Sequence, residues 1–392
     1  MTLVQAPKNL IFVRELAQLD QYAAVWDRLA ARASRFFPSY RDCRSELEGQ
    51  RFLAVIEVKD GRTAEGIACF LNRVTRQDFT VGERRLFSLP AVEAALLGED
   101  ILGDFSDASL AHLLRAATQE WRIDLFTLGE VATGSSLCNL SAKPSPAMVR
   151  TRRKRQEPIR WLITLPASID EYLRQLRYST RKSISYTIRR FEREVDFRFE
   201  IVTRPVQVER FLRDAEQINR QTYQWNVGQR LVDDEDTRLH FSLLAERQRL
   251  RCYILYIGGE PCAFARGEVG ERAYHYGMVG FLPKFQRYSP GLVLLMWIIR
   301  DLIENTSCEI FDFGSGGDSE GYKSRFGTLA VPCTDLQFAF LWRPHSLLLF
   351  SLHAVLFNFK KAANAIIGRG ALRRRLKKAI RSYSPATATG GE

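Results

Sequence analysis

Between Tyr274 and Gly327 the chain reads YHYGMVGFLPKFQRYSPGLVLLMWIIRDLIENTSCEIFDFGSGGDSEGYKSRFG. An alternating stretch at 272–280 runs into a short basic and aromatic loop, and Ser289-Pro290-Gly291 then opens a long apolar segment. Length and composition predict a buried helix over 292–303. Residues 308–313 (CEIFDF) read as a strand, 321–326 as a short helical turn, and 329–342 as the last strand or two. Just upstream, 251–257 and 261–269 flank Gly258-Gly259 as a hairpin, and 272–280 returns as a third strand. The order is three antiparallel strands, a helix and one further strand. The mouth of that helix carries a physical meaning of its own. First-turn N–H groups lack intrahelical partners, and the positive dipole end adds roughly 0.3–1 kcal/mol per anionic charge, so a helix start is an anion site. Pro290 suits an early helical position, and Gly291 allows a phosphate or another backbone to come close.

Working outward, 159–165 is a strand, and Ser168 caps a helix to about 176. The run YSTRKSISYTIRRFEREV places Arg181, Lys182, Arg189, Arg190 and Arg193 on a further helix, and helices follow near 206–222 and 233–248. In the first half, 16–34 has helical periodicity, 52–59 and 64–74 flank a turn at Asp60-Gly61, and a helix over 108–121 leads to a strand at 123–128. That is an α+β unit of domain size. The polar, proline-bearing, basic stretch 141–158 reads as a linker or boundary, its RTRRKR run as a solvated loop or, alternatively, a phosphate contact. Three parts are expected: 1–150, 151–342 and a tail, 343–392.

The chain has 392 residues, 46% of them hydrophobic and 11% aromatic, enough for real cores. Its net charge of +12 is unevenly placed. Ten lysines and arginines and no acidic residue lie between Asp335 and Glu392, so the body is close to neutral. Seven scattered cysteines without a CxxC pattern read as small buried hydrophobes in a reducing compartment. Five histidines without short pairing give no metal signature, and the N-terminus lacks the apolar stretch of a signal peptide. A cytoplasmic protein is expected.

The combination of YSPGLVLLMWIIRDLIE, FDFG and GYKSRFG resembles the GNAT-superfamily acetyltransferases associated with cellulose and exopolysaccharide biosynthesis, and more distantly the Fem peptidoglycan ligases. The likeness extends to LPASIDEYLRQLRYSTRKSISYTIRRFEREV and to YQWN at 223–226, and spans about 159–342. It implies an α+β fold of tandem GNAT-like units, each a mostly antiparallel sheet flanked by helices, the second keeping the active cleft. It also implies acetyl-CoA or another acyl-CoA as co-substrate, its pyrophosphate cradled by backbone amides of the loop before the helix. Gln286, Arg287, Tyr288, Ser289 and Gly291 occupy that place, with one of the family's usual glycines present.

Four residues are candidates for chemistry. Lys323, after the glycine-rich turn, is placed to meet the negative charge of a tetrahedral acyl-transfer intermediate, a role typically worth about 10²–10³ in rate. His275 shares a strand face with Ala273 and Gly277 and suits deprotonation of an ammonium nucleophile. Glu268, on the neighbouring strand, is the other base. Asp312 stands among apolar neighbours and needs a partner: Lys323, Arg325 or a substrate amine. For the acceptor, Arg181 and Lys182 offer charge, Trp225 a stacking ring and Tyr322 a packing surface or a proton for the leaving thiolate.

The expected activity is N- or O-acyl transfer to an amine or hydroxyl, on a small molecule or glycan, by direct attack, since no GxSxG nucleophile motif is present. Two alternatives stand: a Fem-like ligase using aminoacyl-tRNA, and a non-catalytic membrane-surface scaffold of a polysaccharide synthesis complex. The tail fits the last partner class. Its apolar run 346–359 is too short for a span of about twenty residues, and the basic amphipathic sequence after it suits an anionic, inner-face membrane surface.

Overall fold

The computed structural model describes residues 10–33, 38–59, 63–81, 84–98, 101–103, 105, 107–135, 137–138, 149–153, 159–226, 229–315, 321–340 and 342–366. The chain divides into two compact units. Unit 1 comprises Met1–Arg160, Ser315–Ser319 and Ala330–Ala362; unit 2 comprises Trp161–Gly314, Glu320–Leu329 and Ala363–Glu392. The division therefore falls at 160/161 instead of near 150, and most of the last strand joins the first unit, not the second.

Unit 1 opens with β1 (Leu10–Val13), α1 (Leu16–Leu19), α2 (Ala23–Ala33) and α3 (Tyr40–Leu47). Ser39 caps α3, its hydroxyl accepting from the Asp42 N–H at 3.2 Å. Then come β2 (Phe52–Lys59), β3 (Thr63–Val81), β4 (Arg84–Leu96), β5 (Leu102–Gly103), α4 (Asp107–Trp121), β6 (Leu125–Ala132) and β7 (Val149–Arg153). Strands β2, β3 and β4 are antiparallel neighbours, while β4 and β6 pair in parallel through Glu93–Leu125, Ala94–Phe126 and Ala95–Thr127. The stretch expected as a solvated linker contains β7, which pairs antiparallel with the later strand β14 (Leu329–Phe340); the rest of 141–158 lies outside the described residues. One sheet face packs on α4 through Leu110, Leu113 and Leu114 against Phe70, Ala94 and Phe126. The other carries α2 and α3, where Trp26, Leu29 and Cys43 meet Ala54, Ile56 and Cys69.

Unit 2 takes β8 (Ile159–Thr164) from Trp161 onward, then α5 (Ile169–Gln175), α6 (Tyr178–Glu194), β9 (Phe197–Val202), α7 (Pro205–Asn219), α8 (Tyr223–Asn226) and α9 (Glu235–Glu246). There follow β10 (Cys252–Ile257), β11 (Glu260–Val269), β12 (Ala273–Phe281), α10 (Pro290–Asn305), β13 (Ile310–Ser315) and the one-turn α11 (Tyr322–Phe326). Ser168 caps α5 as expected, accepting from Glu171 N–H at 3.2 Å. The strand order within the unit is β8-β13-β12-β11-β10-β9. Strands β9 to β12 are antiparallel to their neighbours, and β12 and β13 are parallel. Helices α5, α6 and α10 cover one face with Tyr172, Ile184, Phe191, Val293 and Trp297. Helices α7 and α9 cover the other with Phe211, Leu212 and Phe241.

The same succession therefore occurs twice: three antiparallel strands, a helix, then a strand parallel to the third. In unit 1 it is β2-β3-β4-α4-β6; in unit 2, β10-β11-β12-α10-β13. The protein is a mixed α+β chain of two units that share this succession, the tandem arrangement that the resemblance implies. All seven cysteines are buried.

Candidate active site

Strand alternation sets the site. Tyr274 and Tyr276 of β12, with Phe311 and Phe313 of β13, face α10 and are buried. Residues 275 and 312 therefore point to the opposite face. The parallel rungs between the two strands are Ala273–Ile310, Tyr274–Phe311 and His275–Asp312. Beyond the third, β12 continues for six residues to Phe281 and β13 for three to Ser315. A second irregularity lies across the hairpin. Ala265 pairs with Val279 but Gly267 with Tyr276, so two residues, Gly277 and Met278, stand opposite Arg266. This β-bulge turns the alternation over. Val279 faces the α10 side with Tyr274 and Tyr276, and Met278 packs against the α7 side.

Three sequence candidates meet in one row. Glu268 of β11 is the cross-strand partner of His275, and His275 of Asp312. His275 Nδ1 lies 3.2 Å from Asp312 Oδ2. The His275 side chain is 48% exposed, whereas Asp312 is 5% exposed. Asp312 Oδ1 accepts from the Gly314 N–H at 2.7 Å, so its two oxygens have separate tasks. Gly314 sits at φ +68°, a left-handed conformation that glycine adopts without a Cβ penalty. Glu268 is held by Arg266 at 2.9 Å, with Arg249 at 3.8 Å. The histidine thus lies between two carboxylates, one buried and one balanced by arginines. Sequence reading left the partner of Asp312 among Lys323, Arg325 and a substrate amine; the structure brings His275 to it.

Lys323 reaches the same strand end by its backbone. Its Nζ donates to the carbonyl of Phe313 at 2.7 Å and to that of Gly314 at 3.4 Å. Those bonds tie α11 to β13 just beyond Asp312. The α11 turn is fixed again where buried Tyr172 donates its hydroxyl to the Phe326 carbonyl at 2.9 Å. Tyr322 is exposed and packs edge-on to Phe313 with ring centroids 6.0 Å apart. Burial holds the Tyr276 phenol well above its ordinary value, and neighbouring Tyr322 pushes it the same way.

The expected cofactor loop stands past the far end of β12. Residues Pro283–Tyr288 form a 3-10 turn, and Ser289, at φ +51°, is the cap of α10. Fewer amides face outward than the resemblance implies. Ser289 N–H is bonded to the Gln286 carbonyl at 3.0 Å, Pro290 has no N–H, and Leu292 and Val293 both donate to the Ser289 carbonyl at 3.0 and 3.2 Å. Gly291 N–H is the remaining first-turn amide. The side chains of Gln286, Arg287 and Ser289, just before it in the chain, are exposed. Arg287 stacks on Tyr288, its guanidinium 4.5 Å from the ring centre, while Lys284 is paired with Glu260 at 2.5 Å. A Cβ at Gly291 would stand 3.5 Å from Phe281 Cδ1, an ordinary contact, so the protein's own packing does not demand glycine there. The donor set, one cation, one amide NH₂, a hydroxyl and a helix-start N–H, fits a diphosphate.

The acceptor candidates are not gathered at the row. Arg181 and Lys182 lie on the outer side of α6, Arg181 resting 5.6 Å from the Tyr178 ring. Trp225, on α8, has the guanidiniums of Arg220 and Arg230 at 5.1 and 5.2 Å from its ring centre, which compete for the faces a sugar would need.

Unit 1 supplies an internal control. Its third parallel rung is Ala95–Thr127, and the β3 partner of Ala95 is Leu71. The row Leu71, Ala95, Thr127 replaces Glu268, His275, Asp312, with no ionisable group. In unit 1, moreover, β4 stops one residue after this rung, and β5 pairs with β3 through Ile67–Leu102 and Gly66–Gly103.

Residues 178–324, a span that falls largely in unit 2, match the family model of the acetyltransferase (GNAT) domain. Among solved structures, FemX superposes with a TM-score of 0.53 at 11% identity, over 80% of this chain and 95% of that one. A domain of a putative lysylphosphatidylglycerol synthetase from Agrobacterium fabrum gives 0.49 at 13% identity, over 86% and 96% of the two chains. A tandem GNAT protein from the clavulanic acid biosynthesis pathway gives 0.48 at 11% identity, over 84% and 98%. No curated protein matches the chain.

Proposed function

We propose that unit 2 transfers an acyl group, acetyl in the first instance, from acyl-CoA to an amine or hydroxyl acceptor, and that unit 1 is a non-catalytic repeat. The observation that carries this reading is the His275–Asp312 pair on the third parallel rung, beyond which β12 and β13 run on. Nδ1–H directed at the Asp312 carboxylate leaves the imidazole lone pair on Nε2 of a half-exposed side chain. Nε2 takes the proton of the acceptor as its nitrogen or oxygen attacks the thioester carbonyl. The new C–N or C–O bond forms, the C–S bond breaks, and the thiolate is protonated by the imidazolium or by Tyr322. Lys323, held by the Phe313 and Gly314 carbonyls, fixes the strand edge beside which the carbonyl would lie. Glu268 adds negative charge on the other side of the imidazole. Arg287, Gln286, Ser289 and the Gly291 N–H hold the diphosphate end, about 20 Å away along β12 at roughly 3.3 Å per residue. An extended thioester arm would lie along the strand between.

Acceptors on a sugar or polysaccharide precursor are the finer reading. The resemblance noted in the sequence supports it. The competing donor is aminoacyl-tRNA, which the fold shared with FemX keeps in play. Thiol release from acetyl-CoA, followed with a panel of amino sugars, sugars and simple amines, tests the proposal. Acceptor-dependent release that His275→Ala removes supports it. Product formation only with charged tRNA would favour the ligase.

A further inference from the structure

Helix α12 (Pro344–Ile366) follows β14 and belongs to unit 1 up to Ala362. Its inner side packs on the sheet: Leu349 is fully buried beside Phe79, Ala91, Leu125 and Ala339, with Phe350, Leu352 and Leu356 at the edge. Its start is pinned by Arg343, which bonds Asp124 at 3.2 Å, and by His345 Nε2, 2.9 Å from the Pro90 carbonyl. His353 Nε2 lies 3.2 Å from Gln77 Oε1. The helix is therefore already docked by one face.

Beside that docked face runs a second, exposed apolar stripe, while Ser351 and Asn358 occupy the side opposite Leu349. Leu348, Val355 and Phe359 are 48%, 64% and 57% exposed, next to the partly buried Leu352 and Leu356. Positions 348, 355 and 359 fall on one stripe of a 3.6-residue repeat. Between Arg343 and Lys360 there is no Lys, Arg, Asp or Glu at all. A surface helix ordinarily turns charged residues outward, and a contiguous apolar stripe on an exposed helix marks an interaction surface. No described helix is long and apolar enough to cross a membrane. The sequence next to the stripe supplies the partner's sign: nine lysines and arginines lie between 360 and 381, with no acidic residue before Glu392.

We propose that the exposed apolar stripe of α12, with the basic segment that follows it, docks in plane on an anionic lipid surface. The apolar stripe enters the boundary between headgroups and acyl chains, and the lysines and arginines meet lipid phosphates. A second copy of the chain is disfavoured as the occupant. A two-fold contact through this stripe uses the same patch on both copies, and the basic segment beside it, with no acidic residue before Glu392, offers a second copy no charge complementarity.

Flotation of the full-length protein tests this with vesicles of phosphatidylcholine alone and of phosphatidylcholine mixed with phosphatidylglycerol. Two variants are compared, V355E/F359E on the stripe and R373Q/R374Q/R375Q in the basic segment, with melting curves to show that both fold. Preferential, salt-sensitive binding to the anionic vesicles is expected. The stripe variant should bind at least about tenfold more weakly and the arginine variant about a hundredfold more weakly, both with unchanged Tm. Equal affinity for both vesicles, no binding, or wild-type binding by the variants overturns the proposal. So does a dimer in sedimentation that V355E/F359E dissolves while vesicles capture nothing.

Discussion

His275 and Asp312 are cross-strand partners on the third parallel rung of β12 and β13, and Nδ1 of the first lies 3.2 Å from Oδ2 of the second. Every element of unit 2 that bears on chemistry is placed relative to this pair. It follows that His275→Ala lowers kcat by about 10²–10⁴-fold, the usual contribution of a positioned base. KM for acetyl-CoA should be little changed, because the loop before α10 lies at the other end of β12. Asp312→Asn should lower kcat with the fold intact, as judged by circular dichroism. An unchanged kcat in both would remove the pair from the mechanism.

Ser289 holds a left-handed φ of +51° and makes no side-chain cap to α10. Ser289→Gly should therefore raise stability by about 1 kcal/mol, the cost of that conformation for an L-residue. If the hydroxyl contacts a phosphate, KM for acetyl-CoA rises in the same variant. Calorimetric melts and initial rates separate the two effects.

Lys323 donates to two backbone carbonyls from a partly buried position. Lys323→Met should cost about 1.5–3 kcal/mol, the range for bonds to a charged group, read from denaturant midpoints. A loss of kcat beyond that explained by unfolding would show that the ammonium also reaches the reacting carbonyl.

Asp301, on α10, is 5% exposed and bonds Arg251 at 2.6 Å, the Tyr253 hydroxyl at 2.7 Å and Asn305 at 3.0 Å. Arg251 is itself 14% exposed, so Asp301→Ala strands a buried guanidinium. The expected loss is about 3–5 kcal/mol, seen as a drop in the urea midpoint. A loss under 1 kcal/mol would mean that water reaches Arg251.

Burial pushes the thiols of Cys252 and Cys262 up to about 12 and that of Cys333 to about 11, from an ordinary value of 9.0. Above pH 9 the unfolded chain loses these protons while the native state keeps them. Stability contributed by the buried thiols is thus complete below pH 9 and is lost as pH rises toward 12. In a thiol titration at pH 8 the native protein should react at none of its seven cysteines and the denatured protein at all seven. Fast labelling of native protein would contradict their burial.

Much of unit 2 was legible because its elements carry strong periodic signals. Sixteen residues of α10, Pro290–Asn305, include ten buried ones, and no strand has that length and composition. Ser168 announced its helix by capping chemistry. Strand β9 was missed although Phe197, Phe199 and Ile201 alternate on the α10 side, a period-2 signal that was there to be read. The outer half of the β3–β4 ribbon gave less. Val74, Leu86 and Phe87 are exposed there, so the alternation that marks a half-buried strand is blurred. Alternation also put His275 on the correct face but could not say what stands opposite it. That depends on the parallel register with β13 and on the bulge at Gly277-Met278, both set by tertiary pairing. The Ser289 carbonyl likewise captures two first-turn amides, which no composition or motif reveals.

The most direct test is a calorimetric titration of the full-length protein with acetyl-CoA. One site per chain is expected, retained in His275→Ala and lost in Gly291→Trp, whose indole would fill the space before α10. Two sites per chain, or no heat with acetyl-CoA while aminoacyl-tRNA binds, would contradict the assignment of the acyl-CoA site to the divergence of β12 and β13 in unit 2.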